Sequence, residues 1–548
     1  MKPQNIWQSC CGNRKQNKGQ GAHVTIHGND TESLGVHNTV NGLRLTKSVF
    51  IVLVLFLWIV PTRGDCGLSA GAYAIDVSPP KLPAIQNGGF LERSQNKILD
   101  RLHARCFVLK SEDTTVAIAV VDSCMIPRDI CYRAKVLASK ETGIPVDRIL
   151  IASTHTHTAP SVMNLCLGTR SDPNYERFLP PKLAEGIAQA HANLEPARVG
   201  FTVVDAPKHT HCRRWLKQPD QYAADPFGET TVRAMMHPGY QNPDYSGPAG
   251  PADTGLTLLS IQSADGKRPL GLIANYSMHY FGTGGGFSAD YYGKFSKLME
   301  NKIAAASSSQ TPFVAAMSQG TSGDLQWMDY SQPRRTDYNI TKYSNELADI
   351  AFGAYQKMQY ETGNPKLAMA ETTLLLKLRM PNRKRIAWAK ELNTKRGKRR
   401  PKNLPEVYAE QVAWFKEHPH EEVVLQAVRI GDLAITAIPN EVYGITGLKL
   451  KAQSPFQVTF NMGLANGAAG YIPPHEQHYL GGYTTWPART AGLETNAEPQ
   501  IVETLLRLLE TLSGQKRKPL TVDFYNEEQR TAIQKAKTEN NNRTNRGY

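Results

Sequence analysis

Short apolar runs that each end in a polar cluster recur along this chain. TTVAIAVVDSC (114–124), RILIAS (148–153) and LAITAIPNEVYG (433–444) are examples, and each begins with a run that suits one buried β-strand. Stretches with helical periodicity, such as 337–358 and 501–513, alternate with them. Buried strands between helices are typical of α/β proteins, in which loops at strand ends commonly carry the functional side chains. We therefore predict an α/β fold with mixed β-sheets flanked by helices.

The first 65 residues differ in character from the rest. Residues 1–47 are polar and are predicted to be disordered. In 48–65, the apolar run 48–60 follows Arg44 and Lys47. As a helix this run rises about 20 Å, short of the roughly 30 Å hydrocarbon core of a bilayer. It is therefore typical of a signal-peptide core, with an uncleaved membrane anchor or a buried helix of a cytosolic protein as the alternatives.

The signal and anchor interpretations both export the body of the protein, to the periplasm, the outside of the cell or the membrane surface. We predict one large folded domain over 66–513 and a basic, disordered tail over 514–548. Of the eight cysteines, Cys10 and Cys11 precede the apolar run. The chain has no C-x-x-C motif, so thiolate zinc clusters are not expected. The other six are expected to be free buried thiols, with disulfides after export as the alternative.

The net charge of +14 is concentrated in short regions. The segment 383–402 alone holds ten Lys or Arg and one Glu, and the two chain ends are also basic. Such segments are usually solvated or adhere to surfaces, and an anionic membrane surface is one possible partner. Because no helix-turn-helix, zinc-finger or aromatic RNA-binding pattern accompanies them, we predict no nucleic-acid partner. No protein partner is predicted.

Two histidines lie one residue apart in IASTHTHTAP (151–160), directly after an apolar run. Side chains alternate faces along a strand. If the strand continues through Thr156, the rings of His155 and His157 face the same point, and neutral imidazole is a good zinc ligand. The alternative is a loop with hydrogen-bonded histidines. A second such pair, His209 and His211, follows Pro207 and is expected to lie in a loop.

Several segments, in order from about Ser69 to Ser513, resemble the catalytic domain of the neutral ceramidase family, which are zinc-dependent amidases. The segments are STHTHTAP (153–160), GLIANYSMHYFGT (271–283), SADYYGKF (288–295), QGTSGDLQ (319–326), AIPNEVYGITG (437–447) and GAAGYIPPHEQHYLGGYTTW (467–486). The ordered set is more specific than any single member.

The resemblance implies four zinc ligands, which fall on His155, His279, Glu441 and Tyr471 of this chain. His157 and Tyr483 match residues that contact the scissile amide. Arg213 matches an arginine at the substrate, with Arg214 as the alternative. Asp324 is expected to orient a ligand histidine from behind, or else to cap a turn.

We therefore predict a hydrolase with one zinc ion per chain, in which zinc-activated water cleaves an N-acyl amide of ceramide or a similar sphingolipid. One departure is Gln326, which replaces the serine of the family's G-D-V-S segment. Two alternatives stay open. One is an amidase or esterase that acts on another lipid or an envelope substrate, and the other is a catalytically inactive exported binding protein.

Overall fold

The computed structural model describes residues 67–112, 114–307, 313–361 and 363–545. The predicted disordered segment 1–47 and the predicted signal or anchor 48–65 lie outside the described residues. Within the described ranges, no helix has both the length and the apolar character needed to cross a bilayer. The helices are α1 (Arg128–Thr142), α2 (Pro173–Ala192), α3 (Asp290–Ser307), α4 (Ile340–Gln356), α5 (Arg383–Arg396), α6 (Leu404–Glu417), α7 (Gly444–Gln453), α8 (Ala497–Ser513) and α9 (Glu527–Asn545).

The strands follow the apolar runs of the sequence. They are β1 (Leu68–Asp76), β2 (Ala84–Gln86), β3 (Arg93–Gln95), β4 (His103–Ser111), β5 (Thr114–Val121), β6 (Ile149–Ser153), β7 (Glu195–Asp205), β8 (His211–Cys212), β9 (Arg214–Lys217), β10 (Ala223–Ala224), β11 (Thr230–Val232), β12 (Ala234–Met236), β13 (Tyr245–Pro248), β14 (Gly255–Ser263), β15 (Pro269–Tyr276), β16 (Val314–Gln319), β17 (Leu325–Gln326), β18 (Leu367–Lys377), β19 (His420–Ile430), β20 (Leu433–Ala437), β21 (Glu441–Val442), β22 (Val458–Met462) and β23 (Tyr471–Ile472).

Two mixed sheets form the centre of the fold. The larger has the order β16-β15-β14-β7-β1-β4-β5-β6, with parallel pairs only at its two ends, and the smaller has the order β18-β19-β20-β22. Side chains from the facing sides of both sheets share one core, which includes Phe107, Ile118 and Ile435. This arrangement confirms the predicted α/β class with mixed sheets and helices.

Helices cover the outer face of each sheet. The alternate residues of β4 and β5, such as Val108 and Ala119, pack with α1 and α2, while α3 and α4 cover the β14–β16 side. Helix α8 covers the smaller sheet through Leu505 and Leu509. Because both faces of these strands are buried, the sequence shows continuous apolar runs rather than alternating ones.

The larger sheet curls so that its edge strands β6 and β16 approach each other. The segment that follows β22 bridges them. The amide of Ser153 in β6 donates to the carbonyl of Leu464 (3.1 Å), and the amide of Gly463 donates to the carbonyl of Gln319 in β16 (3.0 Å). The C-terminal ends of β6, β15, β16 and β20 therefore meet in one place, although these strands are far apart in the chain.

Residues 514–545 are ordered, contrary to the prediction of a disordered tail over 514–548. Residues 514–526 lead to α9, whose Ile533 and Ala536 pack against Leu216 and Leu480. Arg233 forms an ion pair with Glu539 of α9 (2.8 Å). The sequence was misleading because α9 is polar overall and buries only a narrow apolar stripe.

The described cysteines are free and buried, in agreement with the expectation from the sequence. They are Cys106, Cys124, Cys131, Cys166 and Cys212. Burial raises the pKa of the Cys106 and Cys131 thiols to about 12, so both stay protonated at neutral pH. Cys66 lies outside the described residues.

Candidate metal centre and active-site cavity

The two histidines of the H-x-H motif follow strand β6 but do not continue it. The strand ends at Ser153, and His155 has a φ of 70°. The strand therefore does not continue through Thr156, the condition on which the strand interpretation depended, and the segment is a loop: a left-handed residue turns the chain, and histidine adopts this conformation more readily than most residues. The turn still brings the rings together, with 3.1 Å between the Nε2 atoms of His155 and His157.

His279 reaches the same point from the end of β15. Its Nε2 lies 3.1 Å from Nε2 of His155. The Nδ1 atom of His155 lies 2.8 Å from the carbonyl oxygen of Cys124, and that of His279 lies 3.2 Å from the carbonyl oxygen of Ser322. A carbonyl oxygen can only accept, so each Nδ1 carries the proton and each Nε2 presents a lone pair.

Glu441 and Tyr471 are brought side by side by backbone pairing. They are direct partners in the two-residue parallel ladder of β21 and β23. Oε2 of Glu441 lies 3.2 Å from Nε2 of His155 and 3.8 Å from Nε2 of His279. Burial first, and then the neighbouring Glu441 carboxylate, raises the pKa of the Tyr471 phenol well above its usual range. Apart from the resemblance, no pattern in the sequence pairs these two residues.

This group fits a divalent cation. Two imidazole lone pairs and a carboxylate oxygen converge, and the buried Oε2 of Glu441 has no hydrogen-bond partner among the described residues. Lone pairs in such close contact repel one another, and a cation among them removes that repulsion; Nη2 of Arg213, 3.1 Å from Nε2 of His279, offsets part of it from one side. Zinc with N and O ligands at about 2.0–2.1 Å in a tetrahedron separates its ligand atoms by about 3.3 Å. The three ligand-atom separations observed are close to this value.

A second grouping within the described residues is Cys124 with His155 and His157. It fits a metal less well, because a thiol must lose its proton to bind zinc. Burial raises the pKa of the Cys124 thiol well above its usual range. Nδ1 of His155 is also already turned to the Cys124 carbonyl oxygen, as described above.

Arg213, rather than Arg214, is directed at this group. Pairing of β8 with β17 fixes its backbone, and its amide donates to the carbonyl of Asp324 (2.8 Å). Its Nη2 donates to the carbonyl of Gly323 (2.8 Å) and to the Tyr471 hydroxyl (3.2 Å). Arg214 instead donates to Gln477 and to the carbonyl of Gly481.

The group lies at the bottom of a cavity of about 250 Å³. One side is polar, and the other is formed by apolar and aromatic side chains. Seven of the predicted site residues line the cavity: His155, His157, Arg213, His279, Glu441, Tyr471 and Tyr483. The other lining residues are Gly88, Gly89, Phe90, Met125, Cys166, Leu167, His237, Tyr280, Tyr408 and Thr490.

His157 is held in this cavity between Tyr280 and a glycine loop. Its ring stacks on Tyr280 with centroids 3.8 Å apart. Gly88 has a φ of 92°, and a Cβ there would lie 2.5 Å from Cγ of His157, so only glycine allows this approach. Burial first, and then neighbouring positive charge that includes Arg213, lowers the pKa of His157 well below its usual range. The ring is therefore neutral at physiological pH.

Tyr483 forms the opposite wall. Its ring packs edge-on against Phe90 (centroids 5.7 Å) and Tyr471 (5.9 Å). Burial raises the pKa of the Tyr483 phenol. It therefore remains a protonated donor inside the cavity.

A sequence model of the family "Neutral/alkaline non-lysosomal ceramidase, N-terminal" matches residues 84–327. The ceramidase resemblance predicted from the sequence is thereby confirmed. No curated protein matches the chain in a sequence search. The family match contains the predicted site residues from His155 to Asp324, while Glu441 and the tyrosines lie beyond it.

Two solved structures of ceramidases share the fold. The neutral ceramidase from Pseudomonas aeruginosa has a TM-score of 0.60 and 15% identity, over 84% of this chain and 76% of that one. A ceramidase complexed with C2 has a TM-score of 0.59 and 15% identity, over 83% and 77% of the two chains. At this identity the likeness shows the fold alone.

Asp324 takes a different role from the one predicted from the ceramidase resemblance. The Nδ1 atoms of both ligand histidines are turned to backbone carbonyls, and Oδ1 of Asp324 accepts from the amide of Gly444, the first residue of α7 (2.8 Å). A carboxylate in this position stabilises the N-terminus of the helix. The alternative interpretation, a structural aspartate, is therefore the one that the contacts favour. The sequence does not reveal which backbone group faces the carboxylate.

Gln326, at the position of the ceramidase serine, lies outside the cavity lining in the described part of the chain. Its side chain is buried and its backbone pairs with His211. Residues that sequence reasoning missed are Tyr280, Phe90 and His237, the last of which lies 3.4 Å from Nη1 of Arg213. Of these three, only Tyr280 could have been suspected from the sequence, because it directly follows the predicted ligand His279.

Proposed function

We propose that this protein is a zinc-dependent amidohydrolase that cleaves the N-acyl bond of ceramide or a similar sphingolipid. The observation that carries the proposal is the convergence of two Nε2 lone pairs and one unpartnered carboxylate oxygen at the bottom of a half-apolar cavity. The ceramidase family match, and the two solved ceramidases with the same fold, support the reaction and substrate class.

His155, His279 and Glu441 would hold one zinc ion, with the Tyr471 hydroxyl beside Glu441 as the fourth ligand. When bound, zinc acidifies water toward neutral pH and polarises an acyl carbonyl. The carbonyls of Cys124 and Ser322 keep the protons on the two Nδ1 atoms. The protein thus holds both ligand rings in the tautomer that metal binding needs.

Tyr483 would donate a hydrogen bond from its phenol to the carbonyl oxygen of the substrate, where negative charge develops during attack. A donor aimed at such an oxygen typically accelerates hydrolysis by about 10²–10³-fold. Nη2 of Arg213 lies 3.2 Å from the Tyr471 hydroxyl and 3.1 Å from Nε2 of His279, so it adds a fixed positive charge beside the ligand atoms. It thereby stabilises the same developing charge.

His157 would take a proton from the attacking water and pass it to the leaving amine. Its ring is neutral, and its Nε2 lies 3.1 Å from Nε2 of His155, beside the ligand atoms. Stacking on Tyr280 fixes the plane of the ring, so this nitrogen stays directed into the cavity.

The apolar side of the cavity would bind the hydrocarbon part of the substrate. Phe90, Leu167 and Tyr408 form this side. Binding pockets for drug-sized ligands usually measure about 300–1,000 Å³, and this cavity is smaller, at about 250 Å³. It therefore holds the amide and the nearest methylenes, and the remainder of a long lipid would extend beyond the mouth. Because Gln326 is outside the lining, the substitution of the ceramidase serine gives no support to an inactive binding protein.

Metal content and turnover together test the proposal. The purified chain should contain about one zinc per molecule and should release fatty acid from ceramide faster than from an N-acylethanolamine or a matched ester. His211→Ala is a suitable control, since this histidine lies in a separate surface cavity. Zinc at stoichiometric level with no release from any of the three substrates would refute the hydrolase. Preferential release from the ester would favour the alternative reaction.

A further inference from the structure

The helical hairpin α5–α6, residues 383–417, has more basic side chains than its ion pairs involve. Four of the ten basic side chains in 383–402 pair with carboxylates: Lys395 with Glu391, Arg396 with Glu410, Arg399 with Glu406, and Arg400 with Glu92. Arg385 lies 3.7 Å above the ring of Phe227. The other five are exposed and form no ion pair with a described side chain: Arg383, Lys384, Lys390, Lys398 and Lys402.

Exposed apolar side chains accompany these five cations. Ile386 is 39% exposed, Met380 47% and Leu404 37%. Arg383, Ile386 and Lys390 are spaced by three and four residues and share one exposed face of α5. A helix face that combines cations with exposed apolar side chains is typical of binding to the headgroup region of a lipid layer.

The hairpin is attached to the walls of the active-site cavity. Tyr408 of α6 is part of the lining. Nε2 of Gln411 donates to the carbonyls of Leu165 (3.2 Å) and Leu167 (2.9 Å), next to the lining residues Cys166 and Leu167.

A second attachment joins the hairpin to the glycine loop. Arg400 donates to the carbonyl of Gly168 (2.6 Å) and pairs with Glu92, at the end of the loop that contains Gly88 and Phe90. The five unpaired cations therefore belong to a structure that is bound to the rim of the cavity.

We propose that the α5–α6 hairpin docks the protein on an anionic lipid surface. The five cations attract the negative headgroups, and the apolar side chains beside them enter the headgroup region. Since the hairpin is bound to the cavity rim, docking brings the mouth to the lipid from which substrate is taken. This purpose rests on the proposed function, whereas the docking itself does not. A nucleic-acid partner is disfavoured, because no exposed aromatic side chain accompanies the cations.

Co-sedimentation of the full chain with vesicles tests the proposal. The test variant replaces Arg383, Lys384, Lys390, Lys398 and Lys402 with Gln. Vesicles of phosphatidylcholine with about one-third phosphatidylglycerol, an anionic lipid, are compared with pure phosphatidylcholine. The control variant removes the same charge by replacing five exposed cations outside the hairpin with Gln: Lys110, Arg133, Lys140, Lys267 and Lys357.

The hairpin variant should lose at least about 100-fold in partitioning to anionic vesicles, because each cation near such a surface typically contributes about fivefold and five full contributions multiply to about 3,000-fold. The control variant should stay close to the parent, and raised salt should weaken binding of the parent. Both variants keep residues 48–60, so any contribution of that segment cancels. Matched far-ultraviolet circular dichroism and thermal midpoints check that both variants are folded.

Equal losses in the two variants, or unchanged binding in the hairpin variant, would overturn the proposal. So would a hairpin variant that loses affinity for a single-stranded RNA but not for vesicles. The measurement requires neither metal nor turnover. A protein that docks but does not hydrolyse amides would refute only the proposed function, and one that hydrolyses but does not dock would refute only this inference.

Discussion

The phenol of Tyr483 offers the sharpest test of the proposed chemistry, because Tyr483→Phe removes one oxygen atom and leaves the ring. The ring contacts with Phe90 and Tyr471 do not involve the oxygen and persist in the variant. Loss of one buried hydroxyl should change the free energy of unfolding by only about 1 kcal/mol. The lost donor to the substrate should lower kcat by about 10²–10³-fold, which corresponds to about 3–4 kcal/mol of transition-state stabilisation.

The assay is release of fatty acid from a short-chain ceramide, with kcat and KM measured separately and zinc determined in the same samples. Full zinc content, nearly unchanged KM and a reduced kcat are expected, since the donor acts on charge that develops only during reaction. Tyr408→Phe is the control, because Tyr408 is also a buried tyrosine of the lining but belongs to its apolar side. Wild-type kcat in fully zinc-loaded Tyr483→Phe would refute the role of the phenol.

Three further predictions concern the metal and the framework. His279→Ala should lose zinc and turnover together, since it removes one of three converging ligand atoms; full zinc content in this variant, measured by mass spectrometry, would reject the ligand set. Burial raises the pKa of Asp324 to about 6. The folded protein therefore holds this proton more tightly than the unfolded chain does. The resulting contribution to the free energy of unfolding is complete below about pH 4 and falls by about 3 kcal/mol as pH rises through about 6. Asp324→Asn should lack this component in urea titrations from pH 4 to 7, and identical pH profiles would contradict it. Ile533→Asp should lower the free energy of unfolding by about 2 kcal/mol or more, because it buries a charge under α9; exposed Lys537→Asp is the control, and equal urea midpoints would show that α9 is not packed as described.

The positions of the main elements followed from local patterns. The run at 114–121 forms β5, and the helix predicted from 337–358 is α4 at Ile340–Gln356. A short apolar run bounded by turn residues is consistent with a buried strand, and burial of its side chains is the dominant favourable term. The tail at 514–545 was mispredicted, because a helix that buries one narrow stripe has the composition of a disordered segment.

In the candidate site, too, some features could be predicted from the sequence and others depended on the tertiary structure. The histidines of the H-x-H motif were identified, but by an argument from strand alternation that the φ of His155 contradicts. The resemblance, not the pattern, selected Glu441 and Tyr471, which the ladder of β21 and β23 then aligns. The orientation of Asp324 toward Gly444, and the choice of Arg213 over Arg214, depend on contacts between segments that are more than one hundred residues apart.

The sequence by itself determined the α/β class, the order of apolar strands and helices, and which side chains are chemically able to bind a metal or move a proton. The tertiary structure decided which of those side chains meet. The curling of the larger sheet brings the ends of β6 and β15 together, and the loop after β20 reaches the same point. Local propensity acts over a few residues, whereas a metal centre needs ligand atoms from distant segments within a few ångströms, and only packing of the sheets sets those distances.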